Sequence, residues 1–272
     1  MPQVDLGDRG LSLRVHGPAS GEAVLLLHGY PMDSTMWRFQ VPALVTAGYR
    51  VFAPDLPGAG HSPVRDPVSV AAMADAVLAA LRPHKAQRLH VVGFSMGGYV
   101  ALDLALRFPD RVASLVLVDT RCEADSPQGR EGRMNLLREM AGPTATKVLA
   151  NVMVPKMLTE ATRNEARLLV EEVRDMMLRQ PAAGVRALMM ALADRPDRRG
   201  ELGAIRAPTT IVVGAEDKVT PPESAKVMQE GIRGSQLHVV DQAAHLVPME
   251  RPDALNRILV QALAQAPAAT LS

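Results

Sequence analysis

VVGFSMGG, residues 91–98, sets a single hydroxyl, Ser95, among small residues where an apolar run meets a helical pattern. LHVV (89–92) reads as a buried strand, and YVALDLAL (99–106) repeats its apolar residues at helical spacing. A serine on so sharp a turn sits in strained backbone and is crowded by residues two positions away. Gly93 and Gly97 relieve that crowding, and Gly98 lets the helix approach the sheet. The motif is short enough to arise by chance, so its weight comes from lying between a strand and a helix.

Outward from this turn the same alternation repeats. AVLLL (23–27), RVFAP (50–54), SLVLV (114–118), TTIVVG (209–214) and QLHVV (236–240) are runs suited to strands covered on both faces. Helical patterns over 32–48, 68–84, 95–110, 221–234 and 251–266 separate or follow them. Residues 2–17 alternate and turn at GDRG, which predicts an N-terminal antiparallel hairpin. The expected fold class is α/β, with a mostly parallel, doubly wound sheet. Counting the hairpin as two strands makes 114–118 the sixth, and a helical insertion follows it. From Arg121 to Arg195 no strand pattern occurs. Four amphipathic segments, 127–141, 143–158, 160–180 and 182–193, are punctuated by Gly142 with Pro143 and by Pro181. The expected division is a core of 1–120 with 196–272 and a cap of 121–195, with the tail after Pro267 fraying.

Composition narrows the function classes. The 272 residues are 47% hydrophobic and carry a net charge of +1, with no long basic run, which argues against nucleic acid or an anionic membrane as partner. Cys122 is the single cysteine, and no Cys/His cluster has metal spacing, so neither a disulfide framework, a metal nor a cofactor is expected. Acids stand where a secretory signal needs an apolar core, and no apolar run is long enough to span a bilayer. The expectation is a cytoplasmic protein, monomer or homodimer, acting on a small molecule.

A serine needs a base, and the base needs an orienting acid. Of the seven histidines, His16, His90 and His238 lie in strand-like runs, His61 follows a turn and His84 ends a helix. His245, in DQAAHLVPMERP, lies on a loop after the last strand, free to lean over the carboxyl edge of the sheet. Asp217, in the turn after 209–214, is the leading acid. Glu216 is its closest rival, and Asp119 and Asp241 also follow strands. The order Ser95, Asp217, His245 is that of a triad opened by a nucleophile elbow. Backbone N–H groups of Met96 and Tyr30 are the candidate oxyanion donors, with Pro31 holding Tyr30 towards extended backbone. His28 is read as holding that loop. The insertion carries eight of the fifteen methionines, which pack as core or line an adaptable apolar pocket. Met134, Met153, Met157 and Arg121 are the candidate pocket residues, and Arg133 and Arg138 could join Arg121 in meeting a carboxylate.

HGYP, DLPGAGHS, GFSMGG, GAED and AAHLVPMERP, in that order and spacing, resemble the α/β-hydrolase superfamily over nearly the whole chain. HGYPMD, GFSMGG and LVLVDTR are most similar to its branch of 3-oxoadipate enol-lactonase-like enzymes, arylesterases and cofactor-free haloperoxidases. The resemblance implies Ser95 as nucleophile, His245 as base, Asp217 as acid, and Tyr30 and Met96 as oxyanion hole. It assigns Asp55 and His61 no catalytic part. A serine at 95 disfavours dehalogenase and epoxide-hydrolase chemistry, and Tyr30 stands where haloperoxidase-like members often carry Trp. The expected activity is hydrolysis of small to medium apolar acyl or aryl esters. Alternatives on the same triad are an enol-lactone hydrolase, a C–C bond hydrolase or a perhydrolase. A non-catalytic ligand receptor of the same fold is the remote one.

Overall fold

A computed structural model describes residues 10–140, 142 and 144–266. The first arm of the predicted hairpin, Pro143 and the tail from Pro267 lie outside the described residues. The order of elements is β1 (Leu13–His16), β2 (Ala23–Leu27), α1 (Gln40–Thr46), β3 (Arg50–Pro54), α2 (Val70–Leu81), β4 (Leu89–Phe94), α3 (Met96–Arg107) and β5 (Val112–Val118). Five helices follow: α4 (Pro127–Glu139), α5 (Ala145–Met157), α6 (Glu160–Glu165), α7 (Arg167–Leu178) and α8 (Ala182–Ala193). The chain then returns to the sheet with β6 (Thr209–Gly214), α9 (Pro222–Gly231), β7 (Gln236–Val240), α10 (Val247–Glu250) and α11 (Pro252–Ala264).

The strands form one sheet in the order β1-β3-β2-β4-β5-β6-β7. Among the described residues only the β1–β3 pair is antiparallel. Successive side chains leave a strand on opposite faces, and both faces here are apolar. Leu25, Leu27, Val91, Leu115 and Leu117 enter the core packed with α2 and α3, whereas Val24, Leu26, Val92, Val116 and Val118 enter the core packed with α1 and α11. The continuous apolar runs of the sequence follow from this double coverage.

The strand before the insertion is the fifth of the described ones, the first hairpin arm lying outside them, and β1 pairs with β3. Two expectations are corrected. The segment 160–180 is two helices, because Ala166 leaves helical geometry at φ −111°, ψ 56°. No Gly or Pro marks that break, so periodicity reads straight across it. The loop bearing His245 also holds the short helix α10.

The insertion is fastened to the sheet at several points. Asp33 accepts hydrogen bonds from Arg179 and Gln180 at the end of α7, and Gln180 accepts one from the Gly60 N–H. Burial pushes the Asp33 carboxyl upward, but the bonds from Arg179 and Thr35 outweigh it and hold it down to about 2. At the start of α8, Gly184 rests on Gly58, and a Cβ there would lie 2.7 Å from the Gly58 carbonyl carbon.

Candidate active site

The chain runs from β2 to β3 on one side and then crosses back to β4 on the other. The loops leaving β2 and β4 therefore diverge at their carboxyl ends, where open α/β sheets form a crevice. Ser95 leaves β4 at that point with φ 49° and ψ −113°, a backbone region few side-chain-bearing residues adopt. The turn is this tight because α3 starts directly against the sheet. A Cβ at Gly97 would sit 2.5 Å from the Leu27 carbonyl carbon of β2, and one at Gly93 would sit 2.7 Å from the Gly97 carbonyl carbon.

The structure brings Ser95, His245 and Asp217 together from three strand ends. His245 Nε2 lies 3.0 Å from Ser95 Oγ, and its Nδ1 lies 2.8 Å from Asp217 Oδ2. Asp217 Oδ1 accepts the N–H groups of Val219 and Thr220, and Oδ2 accepts the Thr220 hydroxyl. With the carboxylate acting only as acceptor, Nδ1 carries the proton and Nε2 presents its lone pair to Ser95. Burial tends to raise the Asp217 carboxyl, but the His245 charge and these hydrogen bonds win and hold it below its usual range. His245 is 1% exposed and Ser95 9%.

The rival acids lie elsewhere. Asp119 is fully buried, with Oδ1 accepting the Gly214 N–H and Oδ2 the Val247 N–H. Burial first, and then the charge of Asp217, push its carboxyl well above its ordinary range. Glu216 is exposed in the turn and Asp241 is exposed after β7. His28 holds its loop: the Leu56 N–H donates to Nε2, so Nδ1 carries the proton and donates to the Gly29 carbonyl. Burial lowers its pKa, favouring this neutral form. Asp55 is likewise committed, accepting bonds from the Ser34 N–H and hydroxyl and the His61 N–H.

A cavity of about 190 Å³ lies over Ser95, walled by Tyr30, Met96, Tyr99, Arg121, Arg133, Met153 and others. A groove of about 380 Å³ adjoins it through the shared Tyr30, Arg133 and Met153. Helices α4, α5 and α8 supply Arg133, Met153 and Leu192 to the cavity wall, so the insertion covers the serine. Gly29 passes close enough that a Cβ would lie 3.2 Å from Ser95 Cβ, which brings the Tyr30 backbone to the serine. Met96 is the first residue of α3, where N–H groups have no partner within the helix. The Tyr30–Pro31 peptide is cis, a feature the sequence reading did not specify.

Of the candidate pocket methionines, Met153 lines both spaces. Met134 packs against the core, and Met157 is fully buried between the insertion and the sheet, so neither is among the lining residues. Arg121 lines the cavity with one nitrogen given to the Val219 carbonyl and its buried Nε unpartnered. Arg133 lines it too, paired with Asp125 at 2.5 Å, whereas Arg138 bonds Asn135 on the exposed side of α4. Sequence reasoning missed Glu250, a buried carboxylate five residues past His245. The only signal for it was its place in AAHLVPMERP, where it reads as an ordinary charged residue of a loop. Among the described residues no helix is long and apolar enough to cross a membrane, and no group of three or more His, Cys, Asp or Glu is placed to hold a metal.

The family model described as "alpha/beta hydrolase fold" matches residues 22–252. The 2-hydroxy-6-oxononadienedioate/2-hydroxy-6-oxononatrienedioate hydrolase of Escherichia coli (strain K12) is 31% identical, over 96% of this chain and 95% of that protein. A thermophilic esterase from Thermogutta terrifontis, solved with malate bound, superposes with a TM-score of 0.87 at 37% identity, covering 94% of this chain and 93% of the other. The enol-lactonase from Burkholderia xenovorans LB400 superposes with a TM-score of 0.87 at 25% identity, covering 94% and 96%.

Proposed function

The chain belongs to the α/β-hydrolase family, and from that premise we propose that it is a serine carboxylic-ester hydrolase working through an acyl-enzyme. One observation carries the reading: the His245 imidazole stands with Nε2 3.0 Å from Ser95 Oγ while Nδ1 lies 2.8 Å from Asp217 Oδ2. His245 takes the Ser95 proton as the oxygen attacks the ester carbonyl. The tetrahedral oxyanion rests on the N–H groups of Met96 and Tyr30, each worth on the order of 3 kcal/mol of transition-state stabilisation. His245 then gives its proton to the leaving alcohol and activates the water that clears the acyl group. Asp217 fixes the tautomer and stabilises the imidazolium.

A cavity of about 190 Å³ suits a short acyl group, with the adjoining groove free for the remainder of the substrate. A second reading, hydrolysis of a lactone or of a C–C bond on the same three residues, is supported by the names of the relatives. Arg121 and Arg133 on the cavity wall also support it where the substrate is acidic. The test is a series of p-nitrophenyl esters from acetate to octanoate. Turnover is expected to be highest for the shorter members and abolished in Ser95→Ala. No turnover by the wild type on esters or lactones, or turnover that survives Ser95→Ala, overturns the proposal.

A further inference from the structure

The backbone around His245 is gripped residue by residue. The Ala244 N–H donates to Glu250 Oε2 at 2.8 Å, the Leu246 N–H to the Met157 carbonyl at 3.2 Å, and the Val247 N–H to Asp119 Oδ2 at 3.2 Å. These acceptors belong to different bodies. Asp119 directly follows β5, and its other oxygen takes the Gly214 N–H at the end of β6, so it is a post fixed at the sheet's edge. Met157 ends α5. The second oxygen of Glu250 accepts the Thr159 N–H at 2.8 Å, where Thr159 caps α6. Glu250 is 6% exposed, so its two oxygens bridge the residue before His245 to the first turn of α6 in a place water barely reaches.

We propose that Glu250 is a positioning residue: its carboxylate holds His245 in register with Ser95 and makes that register depend on the seating of the helices over the site. The proposal rests on the hydrolase reading for its kinetic consequence. Geometry gives it direction. Before His245, Ala244 is tied to the start of α6 through Glu250; after it, Val247 is tied to the sheet through Asp119 and Leu246 to the end of α5 through the Met157 carbonyl. A displacement of α6 therefore acts on the Ala244 side of His245 through Glu250, while Asp119 restrains the Val247 side. A change in the seating of α6 would thus reach the 3.0 Å separation between His245 Nε2 and Ser95 Oγ. A carboxylate is needed because both partners are backbone donors. Asparagine or glutamine offers an acceptor to only one of them and an N–H to the other.

Two substitutions cut the bridge from opposite ends. Glu250→Gln keeps the shape and removes one acceptor. Thr159→Pro removes the N–H on the insertion side, at a residue whose φ of −61° already suits proline, following Leu158 in extended backbone at φ −121°, ψ 146°. Thr159→Ala is its reference, since it loses the same capping hydroxyl but keeps the N–H. With p-nitrophenyl butyrate, Glu250→Gln is expected to lower kcat about tenfold or more while KM moves less than about twofold. Thr159→Pro is expected to lower kcat several-fold below Thr159→Ala. Amide hydrogen exchange of Ala244 is expected to speed up in both Glu250→Gln and Thr159→Pro, and this readout needs no turnover. If the wild type cleaves no ester but the Ala244 amide loses protection, the hydrolase reading fails and the clamp stands. Unchanged kcat in a folded Glu250→Gln protein, Thr159→Pro matching Thr159→Ala, or unaltered Ala244 exchange overturns the proposal.

Discussion

Asp217→Asn exchanges one oxygen for an NH₂ group and tests the whole arrangement around the imidazole. Asp217 Oδ1 accepts the Val219 N–H at 2.7 Å and the Thr220 N–H at 2.9 Å, while Oδ2 faces the Thr220 hydroxyl at 2.7 Å and His245 Nδ1 at 2.8 Å. An asparagine keeps its oxygen on the two backbone donors, because turning it would set NH₂ against two N–H groups. The NH₂ group then faces His245, and Nδ1 has to accept. The imidazole proton moves to Nε2 and points at Ser95 Oγ, 3.0 Å away. The base is in the wrong tautomer, and the imidazolium has lost its counter-charge. An exchange of this kind costs on the order of 10⁴ in kcat, or ~5 kcal/mol of barrier at ~1.4 kcal/mol per tenfold. No neighbour takes over, since both oxygens of Asp119 are spent on the N–H groups of Gly214 and Val247. The assay is steady-state hydrolysis of p-nitrophenyl butyrate, with circular dichroism confirming that the variant is folded. A folded Asp217→Asn protein keeping more than about a tenth of wild-type kcat would refute the tautomer argument.

Two further outcomes concern how the insertion is held. Gly184→Ala replaces a poor helix former with the best one, which by propensity alone would stabilise α8 by about 1 kcal/mol. The new Cβ would stand 2.7 Å from the Gly58 carbonyl carbon, so overpacking costing about 1–3 kcal/mol decides the sign, and Tm is expected to fall by several degrees; a rise in Tm would show that the contact yields. The Asp33 carboxyl, held down to about 2 in the fold against an ordinary 3.8, contributes stability that is complete above about pH 4 and is lost as pH falls towards 2. With Arg179 48% exposed, the contribution is discounted to roughly 1–2 kcal/mol. Asp33→Asn is expected to flatten Tm between pH 4 and pH 2 relative to the wild type, and parallel curves for the two proteins would count against it.

The amino-acid sequence by itself determined the alternation of strands and helices, because a strand buried on both faces must be apolar throughout, as at 114–118, and a core helix must repeat at helical spacing, as at 99–106. It also marked the turn at Ser95, since only small residues at 93 and 97 let α3 start against β2. Chain order suggested His245 and Asp217 but left Glu216, Asp119 and Asp241 open. What separated them was the direction each carboxylate faces after its strand, which is a property of the assembled sheet. Tertiary structure alone decided that Met153 faces the cavity while Met157, one helical turn on, is buried in the core, and that Ala166 breaks a continuous helical pattern. Periodicity records only that a helix has an apolar side. Which residues of that side meet a cavity depends on how α4, α5 and α8 cross one another and the sheet. The grip of Glu250 on Ala244 and Thr159 was hidden for the same reason: its partners lie six residues behind it and ninety-one residues before it, and both are backbone groups that every residue but proline carries.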